Sequence, residues 1–94
     1  MAKNNVRAEI TVNGLVQGVG FRYFVLRQAQ TLGIKGFVRN LYTGEVQTVA
    51  EGDRSLVEEL IKQLRIGPSH AHVKNCRVEW SESKDEYKTF EVRF

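Results

Sequence analysis

The hydrophobic period of this chain changes across residues 14–20, and three glycines mark the change. Before it, Val6, Ala8, Ile10 and Val12 alternate with Arg7, Glu9, Thr11 and Asn13. A period of two is that of a strand with one buried face. After it, Phe21, Phe24, Val25, Ala29 and Leu32 fall on one side of a 3.6-residue helix. Gly14, Gly18 and Gly20 thus occupy a strand-to-helix junction, where the backbone needs the freedom that only glycine has. Gly33 lies just past the last apolar position and suits a C-terminal cap.

The remaining pattern repeats these two periods. A second strand is predicted from Lys35 to Leu41, a turn at Tyr42-Thr43-Gly44-Glu45, and a third strand from Glu45 to Glu51, ended by Gly52-Asp53. Ser55-x-x-Glu58 has the form of a capping box. Leu56, Val57, Leu60, Ile61 and Leu64 mark a second amphipathic helix, which Gly67-Pro68-Ser69 breaks. Val73–Trp80 reads as a fourth strand, residues 81–86 as a charged loop, and Thr89–Phe94 as a last alternating strand. The order β-α-β-β-α-β predicts an α+β, ferredoxin-like sandwich. Its sheet is expected to have four to five antiparallel strands, with two helices on one face. No repeat, linker or low-complexity stretch interrupts it, so residues 1–94 read as one domain.

Composition narrows the function classes. Fourteen Lys and Arg stand against 11 Asp and Glu, a net charge of +3. No block of like charges accompanies it, so no dedicated nucleic-acid stripe is expected. The single cysteine, Cys76, excludes an intramolecular disulfide and any multi-cysteine metal site, and reads as a buried free thiol. His70 and His72 lack an evident third ligand and read as surface or packing residues. No metal and no cofactor are expected. No stretch resembles a signal peptide or reaches membrane-spanning length, which makes a cytoplasmic protein with no membrane partner, and a monomer, the default. Asp53, Glu58 and Glu59 read as turn, cap and solvent-face residues. Trp80 and Phe90 read as core or half-core strand residues.

The glycine junction is the candidate site. Successive backbone N–H groups in such a turn form a positive concavity, and the helix that follows adds unpaired N–H groups at the positive end of its dipole. The spacing fits neither a Walker loop nor a dinucleotide-binding fingerprint. Arg22 stands in the first helical turn, where the dipole favours anions over cations. Either the side chain points to solvent or it shares a bound anion with the helix end, which would offset that mismatch; the planar guanidinium fits phosphate oxygens. Asn40, near the end of a strand, offers a donor and an acceptor on one group that does not titrate. Such a group can hold a water in attack position.

Two segments then make the chain recognisable. The first is Val12-x-Gly14-x-Val16-Gln17-Gly18-Val19-x-Phe21-Arg22. The second is Gly36-Phe37-Val38-Arg39-Asn40, three residues, Gly44-x-Val46, five residues, and Gly52. Gly67-Pro68 followed by Ala71-x-Val73 adds a third. With these the chain resembles the acylphosphatase family from Ile10 to Phe94. The resemblance implies hydrolysis of a carboxyl–phosphate anhydride to a carboxylate and inorganic phosphate, on a ferredoxin-like fold and without a metal. It implies that Arg22 binds the substrate phosphate and Asn40 orients the attacking water. It also implies that Gly14, Leu15, Val16, Gln17, Gly18, Val19 and Gly20 form the loop whose N–H groups hold the phosphate. Leu15 departs from the pattern, since many members carry Arg or Lys there. The implied partners are a small acyl phosphate, and inorganic phosphate as product and competitive ligand.

Two other classes compete. An RNA-binding module on the same fold would present stacking aromatics, but the required aromatic-rich motif is absent and Gly36-Phe37-Val38 is a poor fragment of it. A non-catalytic, acylphosphatase-like regulatory domain would not need both Arg22 and Asn40.

Overall fold

A computed structural model describes residues 4–94. Seven elements follow the expected order: β1 (Asn5–Leu15), α1 (Phe21–Thr31), β2 (Lys35–Asn40), β3 (Val46–Asp53), α2 (Arg54–Ile66), β4 (His72–Glu82) and β5 (Phe90–Arg93). The strands form one sheet in the order β4-β1-β3-β2-β5. The β4–β1, β1–β3 and β3–β2 pairs are antiparallel. The β2–β5 pair is parallel, with Arg39 opposite Arg93. The sheet is therefore mixed, not wholly antiparallel. A strand's own alternation says which face is buried but not which way its neighbour runs.

Because β1 and β2 each pair antiparallel to β3, they point the same way, and β5 points with β2. The C-terminal ends of β1, β2 and β5 consequently meet at one end of the sheet. Residues of even parity on β1 and β3 (Ala8, Ile10, Val12, Val46, Ala50) join Val38 and Phe90 under both helices. Phe21, Val25 and Ala29 of α1 and Val57, Leu60, Ile61 and Leu64 of α2 complete one continuous core. Burying a Leu, Ile, Val or Phe side chain stabilises by about 1.5–3 kcal/mol, so this cluster dominates what holds the sandwich together.

Local details differ from the sequence expectation at element ends. β1 runs on through Gly14 and Leu15, past a bulge between Asn13 and Gly14. Gly14 has φ +123, and a Cβ there would meet the His72 carbonyl oxygen at 2.1 Å, so β4 passes too close for any side chain. The cap of α2 is Asp53, whose carboxylate accepts from the Ser55 backbone N–H at 2.9 Å, not Ser55. Glu58 instead pairs with Arg54 one turn earlier. β4 is longer than expected, because β1 offers it a partner over its whole length. Trp80 is 38% exposed and covered by the Arg54 guanidinium 4.2 Å above its ring, while Phe90 is buried. Cys76 is half-buried and its thiol is free; burial pushes its pKa up.

Candidate active site

The site lies where the ends of β1 and β2 meet the start of α1. Residues 16–20 bridge β1 and α1, and Gly18 and Gly20 both adopt positive φ (76° and 78°). Gly20 is the N-cap of α1 and, having no side chain, closes nothing. The first turn of α1 contains no acidic residue, and the first helical bond runs from the Phe24 N–H to the Gly20 carbonyl. The N–H groups of residues 21–23 thus have no partner within the helix, and the dipole's positive end is uncompensated.

The loop is held from outside. The Gln17 side-chain amide donates to two carbonyls, Leu41 and Glu45, at 2.9 Å each. Those carbonyls belong to the turn between β2 and β3, itself closed by the Leu41 N–H on the Glu45 carbonyl at 2.8 Å. One side chain therefore fixes the glycine loop to the strand end that carries Asn40. The Glu45 carboxyl is held below its usual range by the Thr43 hydroxyl and then by Arg77, which stiffens the same turn.

Val16, Gly18, Gly20, Phe21, Arg22, Tyr23 and Asn40 line one small pocket of about 140 Å³. Arg22 is partly buried. Its Nη1 donates to the Arg93 carbonyl at 3.3 Å, and its Cζ lies 4.7 Å from the centre of the Phe94 ring. Among the described residues no carboxylate pairs with it: the ion pairs engage Arg7, Arg54, Lys62, Arg77 and Arg93. Asn40 is also partly buried, and its Oδ1 is sealed from solvent with no hydrogen-bond partner. An unpaired buried carbonyl oxygen costs about 1–3 kcal/mol. A second, larger cleft of about 560 Å³ adjoins the pocket at Asn40 and is walled by Arg39, Leu41, Tyr42 and Phe94.

An anion entering the pocket would meet free N–H groups, a helix dipole and an unpaired guanidinium together. Donors of these kinds suit an anion. The sequence of this chain answers to the same description. The sequence model of the acylphosphatase family matches residues 8–92. The chain belongs to the acylphosphatase family. A curated acylphosphatase from Moorella thermoacetica is 50% identical over 88 residues, 94% of each chain. The crystal structure of the acylphosphatase from Bacillus subtilis superposes with a TM-score of 0.91 at 31% identity, over 95% of this chain and 99% of that one. The same fold also occurs inside a longer protein. Full-length HypF, in a phosphate- and nucleotide-bound form, matches all of this chain with 12% of its own length, at a TM-score of 0.87 and 30% identity.

The structure places the sequence-expected residues unevenly. Arg22, Asn40, Val16, Gly18 and Gly20 come together in the pocket. Gly14 and Leu15 lie within β1 and do not line it; Leu15 is exposed and pairs with His72. Gln17 acts through its side chain on the neighbouring turn, and Val19 packs against the core. Tyr23 and Phe94 were not singled out by sequence reasoning. Tyr23 sits in the first turn of α1, a position that a search for ligands at the helix start would have included. Phe94 is distant in sequence, and only the parallel β2–β5 pairing brings it to Arg22. His70 and His72 are exposed, and among the described residues no group of three or more His, Cys, Asp or Glu is placed to hold a metal ion. Among those residues, no helix is long and apolar enough to cross a membrane. On the sheet face away from the helices, the Phe37 ring meets Tyr87 edge-on and carries the Arg93 guanidinium 4.1 Å from its centre.

Proposed function

We propose that this chain hydrolyses the carboxyl–phosphate bond of small acyl phosphates, without a metal, by positioning and charge alone. One observation carries the reading. An uncapped helix start, an arginine with no carboxylate partner and Asn40, whose amide oxygen has no hydrogen-bond partner where it lies buried, border one pocket of about 140 Å³. Phosphoryl transfer depends mainly on alignment and on stabilising charge at the equatorial oxygens. The loop N–H groups and Arg22 supply that charge stabilisation. Asn40 supplies alignment. Its amide turns about χ2, a broad two-fold torsion, to present Oδ1 to a water in the pocket. The water oxygen bonds to phosphorus as the phosphorus–oxygen bond to the acyl group breaks. The bonding pair leaves with the carboxylate, and the water proton passes to the phosphate. A carboxylate leaves readily, so no strong general acid is needed. Inorganic phosphate, the product, is a competitive ligand of the same pocket.

The test is phosphate release from benzoyl phosphate. Removing one preorganised donor typically costs about 10²–10³ in rate. Folded Asn40→Ala and Arg22→Ala variants are expected to lose at least that much in kcat, and Arg22→Ala also to weaken inhibition by phosphate. Near-wild-type turnover by folded Asn40→Ala would remove the water-orienting role. No wild-type release above buffer would leave the pocket as an anion-recognition site.

A further inference from the structure

Glu51 is a carboxylate that the reaction does not use, yet it is only 5% exposed. It lies on β3 with its side chain on the sheet face away from the helices. Acidic side chains are almost never so buried unless they are paired. Glu51 accepts from Arg7 Nη1 at 3.3 Å, from the Lys84 backbone N–H at 2.9 Å and from the Glu86 backbone N–H at 3.3 Å. Two of these three donors belong to residues 83–89, which join β4 to β5 and contain no helix or strand. At its far end the segment is tied to β2 by the Gly36 N–H on the Thr89 carbonyl at 3.0 Å; over residues 84–86 the Glu51 carboxylate takes the place of backbone pairing and fixes the segment against the sheet.

From there the contacts run on to the pocket. Arg7 binds both Glu86, at 2.9 Å, and the Tyr87 hydroxyl, at 3.5 Å. The Tyr87 ring meets Phe37 edge-on, with centres 5.9 Å apart. Arg93 lays its guanidinium 4.1 Å over that same Phe37 ring and 6.0 Å from Tyr87. The carbonyl of Arg93 accepts from Arg22. We infer that Glu51 is a positioning residue for Arg22. By clamping the segment that leads into β5, it fixes where Arg93 presents its carbonyl, and hence where the Arg22 guanidinium waits for phosphate. This rests on the reading that Arg22 binds the substrate phosphate. It adds a buried group on the opposite sheet face as the origin of that arginine's placement.

The experiment compares the inhibition constant of inorganic phosphate in wild type, Glu51→Gln, Arg22→Ala and the double variant, with benzoyl phosphate as substrate and melting temperatures measured in parallel. Coupled residues in contact networks show non-additivity that independent residues do not. Glu51→Gln keeps the side-chain volume and removes the charge that Arg7 pairs with. It is expected to raise the phosphate inhibition constant about 3- to 10-fold. In the Arg22→Ala background the same change is expected to add nothing. A purely structural Glu51 would lower the melting temperature and leave the inhibition constant alone, or weaken it equally in both backgrounds; either result overturns the inference. If Glu51→Gln does not fold, Phe37→Leu removes the ring beneath Arg93 while the carboxylate stays, and the same signature is expected of it. A wild type that neither hydrolyses benzoyl phosphate nor binds phosphate overturns the phosphate-site reading, and this role with it. A wild type that does both, with an unmoved inhibition constant in the variants, overturns the positioning role alone.

Discussion

The two helices of this protein begin in opposite ways. α2 starts on Asp53, whose carboxylate accepts from the Ser55 N–H and hydroxyl, and so closes its own N-terminus. α1 starts on Gly20, with no side-chain cap and no acidic residue in its first turn. Each helix has the same four unpaired N–H groups and the same positive dipole end. The chain closes the start of α2 with the Asp53 side chain and with the Asn4 carbonyl, which accepts from the Arg54 N–H, and leaves the start of α1 uncapped, with a cation, Arg22, added where the dipole disfavours it. The open end is kept in place from outside, by Gln17 on the β2–β3 turn and by the end of β5 beneath Arg22. A helix start left open in this way gives up stability that a single cap would provide, in keeping with the anion site proposed above.

The comparison can be broken in several ways. The largest effect is expected from cutting the external support of α1. Gln17→Ala leaves the Leu41 and Glu45 carbonyls each short of a donor, at a net cost of about 0.5–1.5 kcal/mol per hydrogen bond. It is expected to lower both the melting temperature and kcat, the latter about 10-fold, through displacement of the loop relative to Asn40. Steady-state kinetics with benzoyl phosphate read this directly. Next is to close α1 as α2 is closed. Tyr23→Glu places a carboxylate in the first turn, and is expected to stabilise the helix by about 0.3–1 kcal/mol while competing with substrate. The phosphate inhibition constant should then rise several-fold as the melting temperature rises; a gain in both stability and phosphate affinity would refute an anion site at this end. The converse change, Asp53→Ala, opens α2. It is expected to cost about 0.5–2 kcal/mol by denaturant unfolding and to leave kcat/KM unchanged, since α2 contributes no residue to the pocket lining and Asp53 lies at its far end.

The smallest effect is on acid stability. The Glu45 carboxyl is held below its ordinary value of 4.5 by the Thr43 hydroxyl and by Arg77. Glu86 is held down by its hydrogen bond from Arg7. A carboxyl whose folded value lies below its unfolded value stabilises the fold fully above the unfolded value, and that contribution is lost as pH falls through the folded one. The melting temperature is therefore expected to decline slightly below the ordinary carboxylate range. Glu45→Gln should flatten part of that decline, measured between pH 3 and 6. Glu86 is exposed and Glu45 pairs with an exposed arginine, Arg77, so screening keeps such contributions small.

Much of the fold was legible in the sequence because each element carries its own period. β1, α1, α2 and β4 were readable from alternation and 3.6-residue spacing, and the core residues of both helices follow from them. Gly18, Gly20 and Arg22 were candidates from the strand-to-helix junction, which a simple turn explains equally well; their roles, and that of Asn40 at the end of β2, came from the resemblance of two whole segments to the acylphosphatase family. Other features were illegible for a common reason. The need for glycine at position 14 comes from the His72 carbonyl, 58 residues away in sequence. The cap of α2 moved from Ser55 to Asp53 because the strand–helix boundary fell two residues earlier than the apolar pattern suggested, and boundaries are the least periodic part of any element.

Sequence alone determined the order of elements, the faces they bury and the open start of α1, because these are set by residues within one or two turns of each other. Tertiary structure decided the rest. The parallel addition of β5 brings Arg93 and Phe94 to Arg22, and the strand directions bring the loop and Asn40 to the same end of the sheet. Gln17 then locks one to the other. These contacts join residues far apart in the chain, and no local preference encodes them. They exist because strand order and direction are set by how the whole chain packs one continuous apolar face, which no single strand's alternation specifies.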